Sequence, residues 1–109
     1  MSYNVKSISV FEKQAKKLNK KYPSLKSELT SLIEILKETP DHGTPIGKDC
    51  YKIRLSIASK RKGKSGGARI ITHILISENT VYLLSIYDKT EKDNLTDNEL
   101  KELISYISD

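Results

Sequence analysis

The chain has 109 residues, 37% hydrophobic and 30% charged, which suits one globular domain with a single core and excludes both a disordered chain and two separate cores. A net charge of +5 and a pI near 9.3 favour an acidic partner, nucleic acid or an acidic protein. The single cysteine, Cys50, excludes an internal disulfide, no Cys/His cluster has zinc-site spacing, and no apolar run reaches the length of a signal-peptide core or a membrane span. The expectation is a cytoplasmic protein with no metal, no cofactor and no membrane association.

In chain order, residues 3–9 alternate loosely around Val5 and the β-branched Ile8, which predicts a first strand. Ser9, with Glu12 three residues on, is a capping-box pattern; the helix it starts has Phe11, Ala15 and Leu18 on one face and Lys13, Lys16, Lys17, Lys20 and Lys21 on the other. Pro23 interrupts the pattern, and a second helix over residues 24–39 resumes it with Leu25, Leu29, Leu32, Ile33 and Leu36. Residues 40–47 contain Pro40, Gly43, Pro45 and Gly47 and predict a loop. Three strands follow, at about residues 50–59, 68–77 and 80–87, the last two joined tightly at Glu78-Asn79. Thr96 and Glu99 make a second capping-box pattern, opening a helix with Leu100, Leu103, Ile104 and Ile107. The order β-α-α-β-β-β-α predicts an α+β fold: a small antiparallel sheet with two N-terminal helices packed on one face, and a C-terminal helix.

Charge is uneven along this order. Lys48 to Arg69 holds eight Lys/Arg and one acid, Asp49, whereas Asp88 to Asp109 holds seven acids against three lysines. Lys60, Arg61, Lys62 and Lys64 crowd a turn bearing Gly63, Gly66 and Gly67. Such an excess draws a polyanion, because each neutralised phosphate releases counterions, and it is equally what a solvated hairpin tip carries. The glycines admit a close approach of the backbone to a neighbour or a ligand.

Side chains alternate between the faces of a strand. In the second predicted strand Tyr51, Ile53, Leu55 and Ile57 belong against the helices, which puts Lys52 and Arg54 on the uncovered side. Arg69 and His73 share a face of the third strand with Ile71 and Leu75; Tyr87 and Lys89 lie opposite the core set Tyr82, Leu84 and Ile86 of the fourth. In register, Lys52, Arg54, Arg69, His73, Tyr87 and Lys89 gather on one open sheet surface. Cations there can hold a scissile phosphate and stabilise the charge of its transition state, while tyrosine and histidine add proton-transfer groups and a stacking ring. No carboxylate pair accompanies them, which points away from a two-metal nuclease and toward attack of an RNA 2′-hydroxyl on its adjacent phosphate. Duller roles fit the same residues: Lys52 and Arg54 as the solvated side of a strand, His73 as a half-buried sheet histidine, Tyr87 as a sheet-edge cap. Tyr51 and Tyr82 are assigned to the core, and Cys50 to packing.

Three stretches, Asp49-Cys50-Tyr51-Lys52-Ile53-Arg54-Leu55, Gly63-Lys64-Ser65-Gly66-Gly67-Ala68-Arg69-Ile70-Ile71 and Tyr82-Leu83-Leu84-Ser85-Ile86-Tyr87-Asp88-Lys89, taken in this order, resemble the RelE/HigB type of toxin from type II toxin–antitoxin modules, in the RelE/ParE superfamily. The resemblance implies a sheet backed by two helices, entry into the 30S A site of the ribosome, cleavage of mRNA there, and neutralisation by a cognate antitoxin. It implies that Lys52 and Arg54 contact the RNA phosphate, that Arg69 is the principal transition-state-stabilising residue, and that Tyr87 and Lys89 position substrate or assist proton transfer. Lys60, Arg61, Lys62 and Lys64 would hold ribosomal RNA outside the chemistry. Some relatives carry Lys-x-Lys where this chain has Lys52-Ile53-Arg54, and an arginine and a tyrosine where Thr90 and Leu95 or Thr96 stand, so the general base stays open. Two other functions share this pattern: a ParE-type inhibitor of DNA gyrase, and a nucleic-acid-binding homologue without activity. As an exposed-face arginine, Arg69 is expected to contribute little to stability, so that its replacement by alanine abolishes toxicity with the fold intact.

Overall fold

The computed structural model describes residues 2–58, 67–92 and 94–107. Strand β1 (Asn4–Ser7) leads into helices α1 (Ser9–Lys21) and α2 (Leu25–Glu38); strands β2 (Thr44–Gly47), β3 (Cys50–Leu55), β4 (Ala68–Leu75) and β5 (Thr80–Asp88) follow, and helix α3 (Asp97–Ser105) comes last. The five strands form one open sheet in the order β1-β5-β4-β3-β2. The α+β class agrees with the expectation from sequence, and so does the element order apart from one added strand, β2.

Two features of the sheet differ from that expectation. β1 pairs parallel with β5, from Asn4↔Thr80 to Ser7↔Leu83, so the sheet is mixed rather than antiparallel throughout. The pair is parallel because α1 and α2 carry the chain back across a sheet face before the other strands form. The expected loop over residues 40–47 contains β2, paired antiparallel with β3. β2 is an edge strand, where the missing N–H of Pro45 breaks no inner ladder. Its turn to β3 uses Lys48 and Asp49 at φ 56 and φ 58, the mirror-image geometry that suits a two-residue hairpin.

The helix signals hold with one exception. α1 ends at Lys21, just before Pro23. Its N-cap is Ile8 rather than Ser9, and Glu12 accepts a hydrogen bond from Ser7 Oγ at 2.7 Å instead of closing a capping box. At α3 the capping box is complete, with Thr96 Oγ1 accepting from Glu99 N and Glu99 accepting from Thr96 N. β4 stops at Leu75, where Ile76–Glu78 make a 3-10 turn closed by Asn79 in the left-handed region.

Phe11, Leu25, Leu32 and Leu36 of the first two helices share one buried cluster with Ile53, Ile70, Val81, Leu84 and Ile86 of the sheet. Ile53, Ile70 and Ile86 sit directly across from one another in register. Each fully buried side chain of this size contributes roughly 1.5–3 kcal/mol, so this layer fixes the sheet on which the polar residues stand.

Candidate active site

The register sets the site. Arg54 pairs with Arg69 and Arg69 with Tyr87, so these three side chains form one row across β3, β4 and β5, on the face opposite Ile53, Ile70 and Ile86. The adjacent row is Lys52, Ile71 and Ser85.

This face is not the open surface expected from the sequence. Arg54 is exposed, but Arg69 is only 6% and Tyr87 only 8% accessible, and Ile71 in the next row is 1%. Ile71 needs cover, and β5 is buried on both faces along most of its length, as its near-continuous apolar run requires. Part of the cover is α3. Leu103 and Glu99 of that helix, with Leu95 and Lys92 before it, line a cavity of about 280 Å³ together with Ser85 and Tyr87. Leu100 and Leu103 are the buried residues of α3. Lys92 Nζ donates to Glu99, which holds that carboxyl below the ordinary range.

Arg69 is a cation held in a low-dielectric position. Its hydrogen bond runs from Nη1 to the Ala68 carbonyl at 3.2 Å, and among the described residues no carboxylate pairs with it. Arg54 lies directly opposite, and like charges facing each other across an antiparallel pair repel. Two guanidiniums with no anion between them describe a place for one. Gly67 sets up this alignment. A Cβ there would fall 2.2 Å from the Leu55 carbonyl oxygen, so only glycine permits the chain to enter β4 against the end of β3. Gly67 also accepts a backbone hydrogen bond from Lys89 N at 3.2 Å, which ties the start of β4 to the residue after β5.

The remaining candidates divide by position. Lys52 is half-buried and donates from Nζ to Asn94 Oδ1 at 2.8 Å, in the connection between β5 and α3. Lys89 follows β5 directly and is half-buried. His73 is not brought to the row. It lies four residues along β4 from Arg69, about 13 Å at strand spacing, and its Nδ1 is 3.4 Å from Cys50 Sγ. Lys60, Arg61, Lys62 and Lys64, with Gly63 and Gly66, lie outside the described residues. Among the described residues no three His, Cys, Asp or Glu side chains are grouped to hold a metal ion, and no helix is long and apolar enough to cross a membrane.

Cys50 packs as expected. Burial, with the Asp49 carboxylate adding to it, pushes its thiol up to about 12, and Sγ lies 3.4 Å from the Lys48 carbonyl. Thiolate is the reactive form, so the folded protein should react with iodoacetamide at pH 8 at least about a hundredfold more slowly than the urea-unfolded chain. Equal rates, read by mass spectrometry, would contradict this burial.

Two residues not singled out in the sequence support the site. Gln14 Oε1 accepts from Ser85 Oγ and from Ile86 N, both at 3.0 Å. β1 pairs with β5 only as far as Leu83, so α1 takes over that edge and Gln14 satisfies the backbone donor there. Asp88, 2% exposed, accepts from Tyr22 Oη at 3.2 Å and from Thr90 N and Oγ1 at 2.9 Å. Asp-x-Thr is a turn-forming pattern and is the available signal for Asp88. For Gln14 the signal is a polar residue between the apolar positions of α1.

Residues 8–108 match the family model described as the RelE toxin of the RelE/RelB toxin–antitoxin system. Among solved structures, the chain is similar to an arginine-to-alanine double mutant of the Escherichia coli toxin RelE in the free state, at 20% identity and a TM-score of 0.65, covering 99% of this chain and 100% of that one. The crystal structure of the isolated E. coli RelE toxin gives 21% identity and a TM-score of 0.59, covering 98% and 100%. The RelBE2 toxin–antitoxin complex from Mycobacterium tuberculosis gives 17% and 0.55, covering 81% and 92%. At these identities the structures show the shared fold.

Proposed function

Because the chain belongs to the RelE toxin family and is a toxin of a toxin–antitoxin system, we propose that it is a ribosome-dependent mRNA endoribonuclease that inhibits translation. The observation that carries this reading is the row Arg54–Arg69–Tyr87, in which two facing guanidiniums have no carboxylate between them among the described residues. In the proposed reaction the RNA 2′-hydroxyl gives up its proton and its oxygen attacks the adjacent phosphorus. The bond to the 5′-oxygen breaks, that oxygen takes a proton, and a 2′,3′-cyclic phosphate remains. Arg69 and Arg54 take the charge that builds on the non-bridging oxygens, which needs no metal ion. Lys52 holds the neighbouring phosphate, and Tyr87 orients the nucleotide or relays a proton, with Lys89 beside it. His73 stays outside this set, because its ring engages Cys50 at the other end of β4. Ribosomal RNA and mRNA are the proposed nucleic-acid partners, in the 30S A site. A cognate antitoxin is the proposed protein partner, supported by the antitoxin-bound M. tuberculosis structure.

The test is induced expression from a tight promoter with messenger 5′ ends mapped by primer extension. Codon-phased ends are expected with the native chain and disappear with Arg54→Ala. In a translation extract the same message should be cut, while naked message stays whole. Growth arrest with intact messages and trapped DNA gyrase would replace this reading by a ParE-type one.

A further inference from the structure

The five lysines of α1 have no role in the reaction just described. Lys13, Lys16, Lys17, Lys20 and Lys21 are all exposed, against one acid in that helix, Glu12. At about 100° per residue they fall within an arc of roughly 140°, opposite the apolar side that carries Phe11, Ala15 and Leu18. Ion pairs between described residues lie elsewhere, at Lys37–Glu34 and Lys92–Glu99. Lys13 and Lys17, Lys16 and Lys20, and Lys17 and Lys21 are four residues apart, a spacing at which like charges destabilise a helix. An anion with several charges spaced along the helix would relieve this repulsion at every pair at once. The arc also reaches the candidate site: Lys17 and Lys21, with Gln14, line a cavity of about 280 Å³ that has Tyr87 on its wall.

We propose that the exposed face of α1 is a second RNA-binding surface, which grips the phosphates of a structured, double-stranded RNA while the row on β3–β5 engages the strand to be cut. The second half of this statement rests on the nuclease reading; the first does not. Helical RNA is recognised mainly through its backbone and shape, and a lysine arc without base-reading side chains supplies backbone contacts. An acidic protein is the weaker fit, because protein interfaces are depleted of lysine at their cores and this face offers no apolar anchor between its lysines. The helix thus provides a docking surface of its own, separate in sequence from the basic residues 60–64.

The experiment uses the full chain and a 20-base-pair RNA duplex without single-stranded ends, so that binding is read without cleavage. The triple variant Lys13→Gln, Lys16→Gln, Lys20→Gln keeps good helix formers and avoids the lysines beside Tyr87. Fluorescence anisotropy between 50 and 200 mM KCl should show affinity at 50 mM falling roughly ten- to a hundredfold, and the slope of log K against log salt shrinking by about one for each phosphate that the variant no longer neutralises. Lys101→Gln, an exposed lysine of α3 outside both surfaces, should leave duplex binding within about twofold, and circular dichroism should show all proteins folded. Native-like binding and slope in the triple variant would overturn the proposal. So would a polyglutamate competitor that displaces the duplex as well as unlabelled RNA does, which would assign the face to an acidic protein. Failure of cleavage in the primer-extension test leaves these readouts unaffected, so the two readings fail separately.

Discussion

Arg69→Met should abolish message cleavage and leave the protein as stable as the native chain, or more stable. The expected loss of cleavage is at least about a hundredfold, the usual result of removing one preorganised donor to a developing oxyanion, and larger for an arginine on a transferring phosphoryl group. Arg69 is 6% exposed, with its guanidinium bonded to a backbone carbonyl and opposed by Arg54, so the folded state carries its desolvation without a carboxylate in return among the described residues. Exchanging buried charged groups for well-packed apolar ones of similar volume is often neutral or stabilising. Methionine keeps the volume of the stem, and no carboxylate of the described residues is left without a partner. Alanine is the poorer probe. On the exposed face expected from sequence, Arg69→Ala would leave the fold intact; the side chain is in fact buried, so its truncation leaves a cavity and costs about 1–2 kcal/mol. Thermal unfolding and primer extension on Arg69→Met, run together, separate the roles. A stability loss that parallels the loss of cleavage would make Arg69 a structural residue.

The row itself is legible in the sequence because strand alternation is a local property. Lys52, Arg54, Arg69 and Tyr87 do share a face, and a period of two is enough to say so. What covers that face is not legible. Burial of Arg69 and Tyr87 depends on what packs over β4 and β5, and the periodicity of α3 shows that it has an apolar side without showing which surface receives it. A partial signal is present in Ile70-Ile71, an adjacent apolar pair that a sheet covered on one side does not need, whereas Leu83-Leu84 marks the bulge in β5 between the pairs Ile71↔Ser85 and Thr72↔Leu83. β2 is hidden for a different reason. Pro45 and Gly47 mark a loop in a central strand but are tolerated at an edge, and edge position is set by the order of the whole sheet. The parallel pairing of β1 also depends on where two helices return the chain. Gln14 and Asp88 give little signal because each serves a contact more than 65 residues away or a turn just beyond a strand.

Gly67→Ala should damage stability and activity together. The added Cβ would lie 2.2 Å from the Leu55 oxygen and 3.0 Å from its carbon, both backbone atoms of β3 at the last rung of its ladder with β4, Leu55↔Ala68. Backbone cannot swing aside as a long side chain does, so the rung opens, and the bond from Lys89 N to Gly67 O is strained with it. Overpacking of this kind costs about 1–3 kcal/mol, and loss of the paired hydrogen bonds adds to it. Arg69 is two residues on, and a displacement of about 1 Å at a reacting centre is enough for a hundredfold loss of rate. Gly47→Ala is the control. Gly47 has φ +92 but nothing within 4 Å of the new Cβ, so its cost is conformational, roughly 1–2 kcal/mol, and cleavage should be unchanged. Urea unfolding and single-turnover cleavage distinguish the two glycines. Should Gly67→Ala match Gly47→Ala in both, the close approach of residue 67 to β3 is not what aims Arg69, and the alignment of the two arginines must come from the β4–β5 pairing alone.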